Sequence, residues 1–122
     1  MEHVAILGAS NNPSRYSYKA QIKLVDLGHV VYPISLHEKE VLGIKSYSSL
    51  LEIDQDIETV TVYINPQHVH QIVNDILNLK PQRVIFNPGS ESPKEMEILE
   101  QAGINTEAAC TLVLLATNQF ED

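Results

Sequence analysis

Short apolar runs rich in β-branched residues alternate along this chain with stretches whose apolar positions recur at helical spacing. Residues 3–7 form the first run and read as a short buried strand. Residues 18–27 then place Ala20, Ile22, Leu24, Val25 and Leu27 in a helical pattern, with Gly28 as a natural C-cap. A second strand is predicted over residues 30–34. Residues 45–47 read as a short edge strand, within a weakly periodic stretch that runs to residue 51. The clearest unit follows. Residues 60–64, Val-Thr-Val-Tyr-Ile, are β-branched and aromatic and predict a strand. Asn65 can cap the next helix and Pro66 suits its first turn. Within that helix Val69, Ile72, Val73, Ile76 and Leu77 form one apolar stripe.

Residues 83–86 predict another buried strand, and Asn87-Pro88-Gly89-Ser90 a turn. Ser92-Pro93-Lys94-Glu95 has the spacing of a capping box with proline at the first helical position. Met96, Leu99 and Ala102 are expected to face the core, Gly103 to end the helix, and residues 104–107 to form a last strand. The run at residues 110–117 fits a helix or a strand, because so short an apolar stretch carries no decisive period. Strands alternating with helices pair in parallel through right-handed crossovers. The expected fold is α/β: a doubly wound, mainly parallel sheet in the order 3-2-1-4-5-6, with helices on both faces. Its crevice should lie where the order reverses, between the first strand and the strand at residues 60–64. No repeat, linker or shift in composition divides residues 1–122, so a single domain is expected.

Composition narrows the possibilities. The chain has 122 residues, 43% hydrophobic and 20% charged, as one globular domain would. No apolar run approaches the roughly 20 residues of a membrane helix, and no signal-type segment opens the chain, so a soluble, cytoplasmic protein is expected. Cys110 is the only cysteine, which excludes an internal disulfide or a thiolate metal cluster. The net charge of -8 argues against a general nucleic-acid binder. The charge is uneven, however. Arg15, Lys19 and Lys23 stand near the start, and most of the acids come later. A small anion would meet its most favourable field there.

In such a sheet, ligands sit outside the C-terminal ends of the strands. The first such loop, residues 8–17, reads Gly-Ala-Ser-Asn-Asn-Pro-Ser-Arg-Tyr-Ser. Gly8 permits a sharp turn and a close approach to a ligand. Ser10 and Ser17 offer hydroxyls near a helix N-terminus, where free N–H groups and the helix dipole favour an anion. Arg15 can grip a phosphate with two hydrogen bonds. The alternative for this loop is a plain strand-to-helix turn, capped by Ser14 or Ser17. A nicotinamide dinucleotide site would need three spaced glycines and an acid after the second strand. This loop has one glycine, and no acid follows residues 33–36 until Glu38. A P-loop glycine-lysine motif is also missing from this loop.

Taken in order, Gly-Ala-Ser-Asn-Asn-Pro-Ser-Arg-Tyr-Ser-Tyr-Lys, Gly-His-Val-Val-Tyr-Pro-Ile, Gly-Ile-Lys-Ser-Tyr-Ser-Ser-Leu, Ile-Asn-Pro-Gln-His-Val, Asn-Pro-Gly and Ala-Gly-Ile with a later cysteine resemble the stand-alone CoA-binding domain proteins. These are small relatives of the CoA-binding domain of the succinyl-CoA synthetase α subunit. The resemblance runs from Val4 to Cys110 and implies a Rossmann-like fold that binds CoA, an acyl-CoA or a related adenine nucleotide. It implies a ligand loop of Gly8, Ala9, Ser10, Pro13, Arg15 and Ser17. Pro33 and Ile34 at the second strand, Asn65 and Pro66, and Asn87, Pro88 and Gly89 complete the candidate set. The chain departs from the family at Ile34-Ser35-Leu36, at Ile64, at Ile85-Phe86-Asn87 and at Ala108-Ala109. Two usually basic positions are thereby apolar, and a lost charge-assisted bond is worth about 1.5–3 kcal/mol.

Cys110 reads as a small packed residue, since no nearby base would activate it; the alternative is a reactive thiol, because the resemblance implies a recurrent cysteine at this place. His68 and His70 are two apart on a helix and point to different faces. No acid has a partner suited to acid–base catalysis. The reading is a binding module for a CoA-type small molecule, without catalytic or metal residues. The alternative is a regulatory or interaction subunit, as a homodimer or with another protein partner, whose pocket has degenerated.

Overall fold

The computed structural model describes residues 1–121; residue 122 lies outside them. Seven strands and four helices follow in order: β1 (His3–Leu7), α1 (Tyr16–Asp26), β2 (Val30–Ile34), β3 (Glu40–Val41), β4 (Ile44–Lys45), β5 (Thr59–Val62), α2 (Pro66–Leu79), β6 (Arg83–Phe86), α3 (Pro93–Gln101), β7 (Asn105–Ala108) and α4 (Thr111–Ala116). A 3-10 turn at Leu50–Glu52 precedes β5. Five strands form one parallel sheet in the order β2-β1-β5-β6-β7, and β3-β4 is a separate antiparallel hairpin. The expected edge strand at residues 45–47 survives only at its end. Tyr47 bridges Ile34 in parallel and exchanges hydrogen bonds with Pro33 and Ser35 at 2.9 Å. Residues 44–45 turn away into the hairpin instead, because Leu42 and Gly43 take left-handed φ of 52° and 77° and reverse the chain.

Alternation along the strands builds two cores. Leu7, Val60, Val62, Val84 and Phe86 face α2 and α3, where Val69, Val73, Ile76 and Leu99 meet them. Val4, Ile6, Val31 and Ile85 face the opposite way, against Leu24 of α1 and Leu115 of α4. The helices therefore cover both faces of the sheet. α1 begins two residues earlier than the hydrophobic pattern suggests. Residues 110–117 resolve as helix α4, because Leu115 packs onto this second core while Val113 faces out. Ala102 is exposed at the C-cap of α3 rather than in the core.

The capping box expected at the start of α3 does not form. Ser92 makes no hydrogen bond to the helix backbone; its hydroxyl donates to the Glu95 carboxylate instead. His70 of α2 approaches the other oxygen of Glu95 at 3.3 Å. The Ser92 hydrogen bond first, and His70 second, hold the Glu95 carboxyl below its ordinary value of 4.5. A depressed carboxyl stabilises the fold above its unfolded value and loses that contribution as pH falls through the folded one. Glu95→Gln should therefore lower the urea midpoint at pH 7, and the gap to the parent should narrow as pH falls below 4.5.

Candidate functional site

Parallel pairing brings the loops after β1, β2, β5, β6 and β7 to one edge of the sheet. β1 lies between β2 and β5, so the crevice where strand order reverses opens between β1 and β5, as the sequence predicts. The first loop enters it at Gly8, with φ at 86°. A Cβ there would stand 2.8 Å from the Tyr63 carbonyl oxygen and 3.0 Å from Ile64 Cγ2. The loop is thus pressed onto the chain leaving β5, and only glycine allows it. Ala9 N–H donates to the Ile34 carbonyl at 3.1 Å and ties the same loop to β2.

Beyond Ala9 the loop organises itself. Ser10 Oγ accepts from Asn12 N–H at 3.0 Å, and Asn12 Oδ1 accepts from the backbone and hydroxyl of Ser14 at 3.0 and 2.8 Å. Arg15 occupies the N-cap of α1 but supplies no side-chain cap, and the first turn carries no acid. The other helix starts are occupied differently. Asn65 Oδ1 accepts from Gln67 N–H at 2.9 Å in α2, α3 has Glu95 in its first turn, and Asn87 Oδ1 accepts from Thr111 N–H at 2.8 Å in α4. Among the described residues the entry to α1 is therefore left with unpaired N–H groups, together with the positive end of the helix dipole. The Arg15 side chain is exposed and forms no ion pair among the described residues. Lys19 lies over the Tyr16 ring, 5.3 Å from its centroid, one turn further along the helix. Pro13 is exposed in the loop, whereas Ser17 is buried against the sheet side of α1.

Four of the remaining candidates are buried or half-buried. Pro33 and Ile34 are buried within β2, and Ile34 joins the first core. Pro66 is half-buried at the start of α2, beside the exposed cap Asn65. Asn87 is buried, and its amide is fully engaged inside the fold. Nδ2 donates to Thr61 Oγ1 at 2.7 Å and to the Val62 carbonyl at 2.9 Å, while Oδ1 takes the Thr111 N–H. Pro88 and Gly89 stay exposed at the rim.

Tyr63, which the sequence reading passed over, packs under the crevice against the second core. Burial pushes its phenol up to about 12, and its hydroxyl sits enclosed beside Thr61 and Thr111 without a hydrogen bond of good geometry. Cys110 is half-buried at the N-cap of α4. Among the described residues no group of three metal-ligating side chains converges. His3 and His29 lie at the opposite end of the strands, where His29 Nδ1 accepts from Glu2 N–H at 3.0 Å. Concavities of about 250 and 210 Å³ lie elsewhere, one beside Phe120 and one between α1 and the hairpin.

A family model for a CoA binding domain matches residues 2–116. The chain belongs to the CoA-binding domain family. This CoA-binding domain is 33% identical over 69 residues to the α subunit of ADP-forming acetate–CoA ligase II from Pyrococcus furiosus. That stretch is 56% of this chain but only 15% of the ligase subunit. An uncharacterized Bacillus subtilis protein is 26% identical over 102 residues, covering 84% of this chain and 76% of its own. A solved structure of an uncharacterized protein superposes with a TM-score of 0.88 at 41% identity and covers 98% of both chains. A Thermus thermophilus protein gives 0.88 at 25% identity, covering 98% of this chain and 90% of its own. The Rossmann-like α/β fold expected from the motifs is the observed one. No helix among the described residues is long and apolar enough to cross a membrane.

Proposed function

We propose that this domain is a binding module for a CoA-type ligand, CoA itself, an acyl-CoA or a related adenine nucleotide, and that it contributes no bond-making chemistry of its own. The observation that carries the reading is the open entry to α1. An eleven-residue helix starts without a side-chain cap or a first-turn acid, at the end of a loop whose first residue, Gly8, is pressed onto the chain leaving β5. Unpaired N–H groups at Tyr16 and beyond would meet the ligand pyrophosphate, and Arg15 would add charge-assisted bonds. Ser10 and Pro13 would line the approach, Asn65, Pro66, Pro88 and Gly89 the facing rim. Ile64 and Ala109 would offer apolar contact at the two positions where the family resemblance implies basic residues.

Isothermal titration with CoA and acetyl-CoA tests the reading. Saturable binding is expected, and neither heat nor a thermal shift at millimolar ligand would sink it. Arg15→Ala should weaken CoA about tenfold or more, the scale of a charge-assisted bond. Because Arg15 is exposed, that loss should shrink as salt rises. A second reading, an interaction subunit, is favoured by the apolar groove where Ile22 and Val25 of α1 stand exposed beside Leu42 and Ile44. Light scattering with and without CoA separates the two, since the binding module needs no change of oligomeric state.

A further inference from the structure

The loop after β2 comes back to the ligand loop. Ser35 Oγ accepts from the backbone N–H groups of His37 and Glu38 at 3.3 and 3.2 Å, and the Ser46 hydroxyl donates to the Glu38 carbonyl. The chain therefore curls at the C-terminal end of β2 rather than running on. Asn11, inside the ligand loop, fastens this curl from the other side. Its Nδ2 donates to Glu38 Oε2 at 3.2 Å and to the Glu40 carbonyl at 2.9 Å, and its Oδ1 accepts from Leu42 N–H at 2.9 Å. These bonds bring the Glu38 carboxylate to the loop of residues 8–17. Its second oxygen, Oε1, has no protein donor among the described residues.

Sheets of this type commonly hold an adenosine ribose with a carboxylate placed beyond the second strand, and swap that acid for a cation when the ribose carries a phosphate. In sequence Glu38 falls too far past β2 to be recognised as such an acid. The hydrogen bonds of Asn11 bring it within reach. The nearby charges are Glu40, which adds to it, Lys45, which stands opposite Glu40 across the hairpin, and Lys39, whose exposed ammonium makes no ion pair among the described residues. His37 is exposed beside them.

Resting on the reading proposed above, we infer that Glu38 is a specificity residue for the ribose of the bound nucleotide. Oε1 accepts a ribose hydroxyl, and the carboxylate repels a phosphate at the same position. The ligand class is then an adenosine diphosphate moiety with free ribose hydroxyls, so that 3′-dephospho-CoA is preferred to CoA.

Titration of the intact protein with CoA and with 3′-dephospho-CoA at two salt concentrations tests this. The dephospho form should bind about tenfold more tightly at low salt, the scale of a few-ångström charge repulsion at the protein surface. The preference should narrow at high salt. Glu38→Gln keeps an acceptor for Asn11 and removes the charge. Its melting temperature should match the parent, while the ratio of the two affinities should fall towards one. A parent protein that binds CoA as tightly as the dephospho form, or more tightly, overturns the inference and leaves the CoA-type reading standing; Lys39 would then be the group that reads the phosphate. An unchanged ratio in Glu38→Gln overturns it as well. Absence of binding to both ligands removes the underlying reading and this inference together.

Discussion

Gly8→Ala is expected to destabilise the domain by about 3 kcal/mol or more, adding backbone strain to overpacking. Two costs act at once. The residue sits at φ 86°, where an L side chain is strained. The new methyl would also meet the Tyr63 carbonyl oxygen at 2.8 Å and its carbon at 3.1 Å. Those are backbone atoms of the chain leaving β5. They are fixed by Tyr63 N–H donating to the Leu7 carbonyl at 2.9 Å, so they cannot yield without breaking the ladder. Gly89→Ala is the control. It has φ of 92° but nothing within 4 Å of its Cβ position, so it should cost only about 1–2 kcal/mol. Urea unfolding of the two variants measures both. Equal midpoints would show that close approach at Gly8 contributes nothing beyond its dihedral angle. A weakened Gly8→Ala variant that still folds should also lose CoA affinity, because the loop would lift from the crevice wall.

The sheet was legible because parallel strands buried on both faces write continuous apolar runs. The runs at residues 3–7, 30–34, 60–64 and 83–86 could be placed without ambiguity of type. Their order follows from the crossover rule, and the structure keeps it, with the third strand reduced to the bridge at Tyr47. That reduction was not legible, since it follows from a hairpin whose leucine takes a left-handed conformation, an uncommon choice for a branched side chain. Helix α4 was ambiguous for a different reason. Its six residues span less than two turns, too few to reveal a period, and only tertiary burial of Leu115 decides it. The false capping box at Ser92 shows how a local rule fails. The pattern identifies which groups could bond, whereas in the fold the Ser92 hydroxyl and His70 of another helix take the two carboxylate oxygens of Glu95.

The location of the site was legible through topology, and the role of each side chain was less so. Residue type says what a group can bond; the fold decides what remains free to do it. Ser17 has the chemistry of a ligand contact and is buried. Pro33 and Ile34 mark the right strand end, but are buried. Glu38 lies too far along the chain to be recognised as a partner of the first loop until Asn11 is seen to hold it there.

Asn87→Ala should destabilise the fold by about 3 kcal/mol, because three buried bonds are lost together and the Thr111 N–H is left without a partner among the described residues. The amide orientation follows from those partners: the Val62 carbonyl requires a donor and the Thr111 N–H requires an acceptor. Asn87→Asp preserves the shape and reverses the chemistry. It would set a carboxylate oxygen against the Val62 carbonyl in a site with no cation, and should cost at least as much as alanine. Thr61 completes the cluster, with its hydroxyl 2.7 Å from Asn87 Nδ2 and 2.8 Å from the Thr111 hydroxyl. Thr61→Val and Asn87→Ala should therefore combine to less than the sum of their separate effects. Thermal and urea unfolding of the single and double variants measure this coupling. Additive costs would show that the two side chains act independently. A change within about 0.5 kcal/mol for Asn87→Ala would show that water satisfies the exposed partners and that the cluster is not what joins β5, the loop after β6 and α4. If the costs prove large and coupled, the residue that looked like a ligand contact in sequence is instead what holds the rim around Pro88 and Gly89 in place.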